Sequence, residues 1–453
     1  MFKKIKILTI IISITIIIGY FFASSAIDNQ NFNSLKSLFS SERKELIKKY
    51  FFPYKAIAQR DREIYTRDVE RFELDFKKNN YEIRTVESHV NLSNNKHLKK
   101  YNLTGGFYAG IHNAFPGSGY IDFHAGNLIV VSARGVLALK KNINDTEENF
   151  TQIKNNINDF IGVKQFAKTK QTSIKDIHIS NNKVFISYIA EIKEDCYNLS
   201  VIYGDINYKN IIFKKLFTPK ECVHSKNNLD KEFSSGQSGG RIVSFGENHI
   251  LLSIGEFRNR FLAQDIKGIF GKVIKVNIDN GNYKIVSMGH RNPQGLHFDE
   301  ENNFILQTEH GPKGGDEINL INANLINENK IQNYGWAISS YGEHYASIIK
   351  GNKKIYEKYP LYKSHIDHGF IEPLKSFQPS IGISEIVKVG QNRYVVSSLK
   401  DRSIYFFELN EQKQMINLNR VEVYERIRDL KFNDNKLFLF MEDTASIGVI
   451  NLK

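Results

Sequence analysis

Residues 295–309, GLHFDEENNFILQTE, begin with a strict alternation in which Leu296 and Phe298 fall on one side and His297 and Asp299 on the other. An acidic, Asn-rich turn follows, and then the more continuous apolar run Phe304-Ile305-Leu306. Alternation with period two is the mark of a half-buried strand, and a short apolar run bounded by turn residues is that of a strand buried on both faces. The unit is therefore a hairpin. It recurs as YIDFHAGNLIVVSA (120–133), DIHISNNKVFISYI (176–189), RIVSFGENHILLSIG (241–255), EIVKVGQNRYVVSSL (385–399) and DLKFNDNKLFLFME (429–442). Each hairpin is followed by a further strand-like run (GVLALK, LSVIYGDI, GKVIKVNI, DEINLIN, SIYFFEL, SIGVINL), and some are preceded by one, such as IIFKKLF or YKIVSMG. A meander of up to four strands repeated six times, at intervals of roughly 45 to 65 residues with one longer insertion, specifies an all-β chain closed as a six-bladed β-propeller. A large β-sandwich does not repeat a whole meander at such a period.

The rest of the chain sets the context. Its 453 residues are 41% hydrophobic and 25% charged, a globular balance that excludes a disordered chain. The formal net charge of +13 is spread along the sequence without a basic tract, so nucleic acid is not the expected partner. The N-terminus joins the basic MFKKIK to the apolar ILTIIISITIIIGYFF and the small-residue stretch ASSA ending at Ala26, which predicts export. Residues 1–26 serve either as a cleaved signal peptide or as an uncleaved anchor, and the chain is expected in the periplasm or on the outer face of the inner membrane. Residues 27–85 carry helical spacing broken by Pro53 and read as a helical spacer, leaving 86–453 for the propeller. Cys196 and Cys222, both on the exported side, form either a disulfide or a pair of buried thiols.

Neighbouring strands of a meander are antiparallel, so alternate connections share a rim. When the strand preceding each hairpin is counted as the first of its blade, GHRNPQG (289–295) joins first to second strand and EHGPKGG (309–315) joins third to fourth. SSGQSGGR (234–241), GEFRNR (255–260), FQPSIGIS (377–384), SLKDR (398–402) and YERIRD (424–429) fall on the same rim. That rim would gather Arg291, Lys400, Arg426 and Arg428, with Asn292, His310 and Asp316 among them. Cations converging from separate blades suit a small polyanion held by charge-assisted hydrogen bonds.

GHRNPQGL, EHGPKGGDEINLI, NYGW and the AQD of FLAQDIKGIFGKVIKV resemble the glucose/sorbosone dehydrogenase family of PQQ-dependent aldose sugar dehydrogenases, strongly over residues 234–345 and more weakly to residue 453. The resemblance implies a six-bladed propeller, the cofactors PQQ and calcium, an aldose substrate and an external electron acceptor. By motif, Arg291 and Asn292 would meet the quinone oxygens, and Lys400, Arg426 and Arg428 the cofactor carboxylates. His310 and Asp316 would line the same loop. The carbonyls of Gly311 and Pro312 would bind calcium beside the cofactor, a hard cation that takes oxygen donors. Glu317 and Tyr334 resemble the positions of a second, structural calcium.

The departures concern the chemistry. The general base of the family is a His four residues before the Arg of the Gly-Arg pair, and Gln237 stands there in SSGQSGGR. A glutamine amide cannot accept the proton of a sugar hydroxyl. Thr104, in LTGG, replaces a Gln expected near the cofactor. Trp336 is the only tryptophan, so Phe377 is the aromatic expected to cover the cofactor in the fifth-blade loop. Three functions follow: an aldose dehydrogenase whose base is another group, with His310 or His112 as candidates; a propeller that binds a sugar or polyanion without turnover; and a membrane-tethered scaffold for a protein partner.

Overall fold

The computed structural model describes residues 85–93, 96–103, 118–141, 149–161, 173–345 and 357–452, with Glu82, Ile83 and isolated positions before residue 53. The hydrophobic segment 1–26 and the spacer 27–85 thus lie almost wholly outside the described residues, as do Thr104 and His112. Among the described residues, no helix is long and apolar enough to cross a membrane.

Six antiparallel sheets make up the rest, and the first strand of every hairpin read from the sequence is the innermost strand of its sheet. Those inner strands, Gly119–His124, Ile174–Ser180, Gly239–Ser244, Pro293–Asp299, Ile383–Lys388 and Ile427–Asn433, pack each against the next, and the last packs against the first. This closes a six-bladed propeller, with the blades numbered here in that order. The second strands, among them Asn127–Ser132, Phe304–Glu309 and Lys436–Met441, are buried almost throughout because sheets cover both their faces, which is why they read as apolar runs. Phe438, Leu439 and Phe440 are fully buried, and truncating one to alanine would cost about 2–5 kcal/mol.

Two features differ from expectation. The strand before each hairpin belongs to the outer part of the preceding blade: Tyr283–Met288 pairs with Lys272–Asn277 of the third blade, while Pro293–Asp299 opens the fourth. Residues 289–292 therefore link two blades, and residues 310–315 join the second and third strands of the fourth blade. A one-strand shift moves every loop together, so both still open on one rim. The sixth blade, in addition, takes its outer strands from the start of the propeller: His97–Leu103 pairs with Ser446–Asn451, and Thr85–Asn91 pairs with His97–Leu103. This tie between distant parts of the sequence closes the ring. Cys196 and Cys222 form a disulfide at the edge of the second blade, beside the short pairing of Cys196 with His224, which decides the alternative left open by the sequence.

At the propeller axis Arg241, from the third blade, meets Asp176 of the second at 3.1 Å, Glu385 of the fifth at 3.0 Å and Asp429 of the sixth at 2.8 Å. Its Nε and Nη2 donate to the carbonyls of Gln294 and Arg428, both at 2.6 Å. One buried guanidinium thereby fixes two rim loops against each other.

Candidate active site

The loops at 289–292 and 310–315 are tied directly together. The His310 N–H donates to the Asn292 carbonyl at 3.0 Å, and the Arg291 N–H donates to the Glu309 carboxylate at 3.0 Å. The Arg291 guanidinium donates to the carbonyls of His310 at 2.8 Å and Gly311 at 2.7 Å and lies over the Trp336 ring. Asp316 then joins this pair of loops to the fifth blade, since its carboxylate accepts from the N–H groups of Gly311, Gly382 and Ile383 at 2.7–3.1 Å. The glycines make this possible. A Cβ on Gly311 would lie 1.9 Å from the Gly315 carbonyl oxygen, so only glycine permits the loop to fold back on itself.

Between these loops opens a cavity of about 430 Å³, lined by Gln237, Arg258, Arg291, Asn292, His310, Gly311, Pro312, Asp316, Tyr345 and Lys400 among others. The residues that the sequence assigned to one rim are thus largely assembled around one space. Gln237 is in the wall, as its loop required, with its amide bound at both ends. Oriented to satisfy its neighbours, its nitrogen donates to Glu256 at 2.9 Å and its oxygen accepts from Arg258 and Arg291, each at 3.0 Å. Burial pushes the Glu256 carboxyl up to about 7 against the opposing pull of Arg291, Arg260 and Arg258.

His310 has a distinct protonation chemistry. Burial holds its pKa below the ordinary histidine value, with Asp316 acting against that and Arg428 and Arg291 reinforcing it. The Ile383 backbone beside the ring acts against that lowering, and Nε2 is buried with no hydrogen-bond partner among the described residues.

Other expected residues lie elsewhere. Arg426 and Arg428 both bind the buried carboxylate of Glu442, at 3.0 and 2.9 Å, and neither lines the cavity. Burial alone would raise the Glu442 carboxyl, but Arg428 and Arg426 outweigh it and hold it below its usual range. Phe377 points into the core against Tyr405, because its strand pairs with Asp316–Ile318 and turns the ring inward; Tyr345 is the aromatic in the cavity wall. Glu317 lies against Glu309, and burial followed by that neighbour raises its pKa well above normal. The Tyr334 hydroxyl donates to the Leu320 carbonyl, and its own carbonyl accepts from His365.

Both carbonyls expected to bind calcium accept hydrogen bonds within the protein. The Gly311 carbonyl faces the Arg291 cation, and the Pro312 carbonyl faces the Ser380 hydroxyl. Among the described residues, no group of three or more His, Cys, Asp or Glu side chains is placed to hold a metal. Arg258, Glu256 and Glu442 were missed, although rim counting could have found them: the first two lie in GEFRNR, and Glu442 follows the second strand of the sixth blade, where the connection opens on the same rim.

A family model described as Glucose / Sorbosone dehydrogenase matches residues 123–450. Among characterised sequences, the chain is 26% identical to aldose sugar dehydrogenase YliI of Escherichia coli (strain K12), over 48% of this chain and 60% of that protein. It is 33% identical to quinoprotein glucose dehydrogenase B of Acinetobacter calcoaceticus over a shorter stretch, 23% of this chain and 26% of that one. The chain thus spans less than two thirds of the length of these relatives. Of solved structures, the apo form of the soluble aldose sugar dehydrogenase from Escherichia coli superposes with a TM-score of 0.56 at 19% identity, over 73% of this chain and 95% of that one. The PQQ-bound aldose sugar dehydrogenase from Streptomyces coelicolor gives 0.53 at 16% identity, over 78% and 98%. Both share the propeller.

Proposed function

The chain belongs to the glucose/sorbosone dehydrogenase family, and we propose that it oxidises an aldose at the anomeric carbon with PQQ as the electron acceptor. The observation that carries this reading is a cavity in which a cationic wall, Arg291 and Lys400, adjoins the imidazole of His310, whose pKa burial holds below the ordinary histidine value. PQQ bound there supplies a quinone that takes up two electrons. Lys400 would meet its carboxylates from the fifth blade, while Arg426 and Arg428 stay on Glu442 outside the cavity lining. Arg291 and Asn292 would face the quinone oxygens.

The proton is the task left to the chain. Gln237 cannot accept it, and with its oxygen bound to two guanidiniums the amide can only donate a remaining N–H to a sugar oxygen. His310, in the cavity wall, takes the proton of the anomeric hydroxyl on its imidazole, which its lowered pKa keeps unprotonated at neutral pH. Loss of that proton and of the hydride at the same carbon yields the lactone, and an external acceptor reoxidises the cofactor. No step is assigned to calcium, because the Gly311 carbonyl it would need is engaged by Arg291. Export to the periplasm, or to the outer membrane-facing surface of the inner membrane, is part of the same proposal and rests on residues 1–26.

Reconstitution of the propeller with PQQ, followed by dye reduction with a panel of aldoses, tests the activity. Turnover with at least one aldose is expected. If PQQ binds and no aldose is oxidised, the site is that of a sugar- or polyanion-binding propeller without catalysis, the reading that Gln237 in place of a base would favour. A reporter fused after residue 30 that stays in the cytoplasm would overturn export.

A further inference from the structure

We propose that Arg258 selects the substrate, and that the sugar oxidised here is an acidic aldose bearing a carboxylate or phosphate remote from the anomeric carbon. The proposal rests on reading the cavity as an aldose dehydrogenase site and names the class of aldose it takes.

Arg258 is held over the cavity by an unusual stretch of backbone. Phe257 and Arg258 have φ of +54° and +66°, a left-handed conformation that residues bearing a Cβ rarely adopt in succession. The surroundings enforce it. Phe257 is fully buried against the rings of Phe233 and Phe270, its N–H donates to the Gln237 carbonyl, and its own carbonyl accepts from the Ser234 N–H. With the phenyl ring anchored inward, the next side chain is delivered to the cavity wall.

Its neighbours show how much of its bonding capacity is left. Arg260, two residues on, is matched by Glu232 at 2.9 Å and lies near Asp230. Arg291 is occupied by two carbonyls and the Gln237 oxygen. Arg258 gives only its Nε to Gln237, and among the described residues no carboxylate or carbonyl takes its two terminal nitrogens. The nearby acids do not neutralise it. Both oxygens of Asp316 are taken by backbone N–H groups, and Glu256 accepts from the Gln237 amide and divides its charge among Arg291, Arg260 and Arg258. Two lysines also line the cavity: Lys313, whose ion pair with Glu343 is long and exposed, stands on the fourth-blade loop, and Lys400 comes from the fifth blade, where it suits the cofactor carboxylates. Arg258 stands on the third blade next to Gln237, where the sugar must lie. A planar fork with two free donors recognises a carboxylate or phosphate bidentately, and a neutral hydroxyl uses it poorly.

The test measures PQQ-dependent dye reduction and calorimetric binding of D-glucuronate, D-glucose 6-phosphate and D-glucose, in the wild type and in Arg258→Gln and Arg258→Lys. One or both anionic sugars should exceed glucose in kcat/KM by about tenfold or more, the range of a charge-assisted hydrogen bond. Which of them does so separates carboxylate from phosphate recognition. In Arg258→Gln the ratio of anionic to neutral sugar should fall to near one, and Arg258→Lys should be intermediate because it keeps the charge and loses the fork. Equal kcat/KM for all three sugars, or a preference that survives Arg258→Gln, would overturn the proposal while leaving the dehydrogenase reading intact. If no aldose is oxidised, the dehydrogenase reading fails, and calorimetry still decides on Arg258: an anionic sugar that binds wild type but not Arg258→Gln supports its role, and no binding of either anionic sugar refutes it.

Discussion

The propeller carries two clusters of charge, one on its axis and one on its rim, and they are built on opposite terms. On the axis, the single guanidinium of Arg241 is surrounded by Asp176, Glu385 and Asp429, and every donor it has is used within the protein. On the rim, Arg258 and Lys400 face a cavity with donors to spare, and the imidazole of His310 lines the same space. A buried charge that is matched tends to define geometry, whereas removing its partner leaves an uncompensated charge in a low dielectric. The axis cluster accordingly belongs to folding and ring closure, and the rim cluster to a ligand.

The largest effect expected from this contrast is on the axis. Arg241→Met leaves three buried carboxylates without their cation and should cost about 3–5 kcal/mol in denaturant unfolding. Lys400→Met on the rim should change stability by no more than about 0.5 kcal/mol. Equal costs at the two positions would mean that the clusters do not differ in kind.

The second effect concerns turnover. His310→Gln should lower aldose oxidation by about 10²- to 10⁴-fold, the usual worth of a general base. Because burial holds the His310 pKa below 6.5, activity should fall only as pH drops below that value, when the ring gains a proton and loses its lone pair. Placing a histidine at the other position, Gln237→His in the His310→Gln background, should recover activity, since Glu256 lies within hydrogen-bond reach of that side chain and would orient it. An undiminished rate in His310→Gln would move the base elsewhere.

The third is a ligand effect on stability. PQQ at about a hundred times its Kd should stabilise the propeller by about 2.7 kcal/mol, read as a rise in Tm. Replacing Lys400, in the cavity wall, by Gln should reduce the rise. With the Gly311 carbonyl held by Arg291, the shift is expected to survive a calcium chelator. Its loss in chelator would show that Arg291 releases that carbonyl to a metal.

How much of this was legible in the sequence depended on whether a feature is local. The hairpins were legible because each carries its own alternation and its own buried second strand. The phase of the blades was not, since a meander looks the same whichever strand is counted first and only the packing of the inner strands decides. The pair Thr85–Asn91 and His97–Leu103 escaped notice because the former is an exposed outer strand with little apolar pattern. Arg291, Asn292, His310, Asp316 and Lys400 were found correctly at the rim because a shift in phase moves all connections alike. The binding of Arg426 and Arg428 to Glu442 could not be read, as it joins different strands through side-chain geometry. The same holds for Arg241, whose three carboxylates come from three other blades.

The smallest predicted effect tests the balance within the axis cluster. Burial pushes the Glu385 carboxyl up to about 8 and that of Asp176 up to about 6, with Arg241 pulling both down and Asp429 pushing both up. Arg241 and the buried Lys431, which also pulls both down, do not keep all of these carboxylates ionised. A carboxyl whose folded pKa exceeds its unfolded value of about 4.5 contributes stability that is fully present below that value and is lost as pH rises through the folded pKa. Wild type should therefore lose stability relative to Glu385→Gln between pH 5 and pH 8. The amide copies the protonated acid, and its carbonyl can still accept the N–H groups of Leu296 and Ile386 that now bond Glu385. Urea unfolding at the two pH values should show near-equal stabilities at pH 5 and a clear difference in favour of the variant at pH 8. If wild type instead gains on the variant as pH rises, Arg241 outweighs burial, Glu385 is ionised throughout, and the axis is a fully charged network.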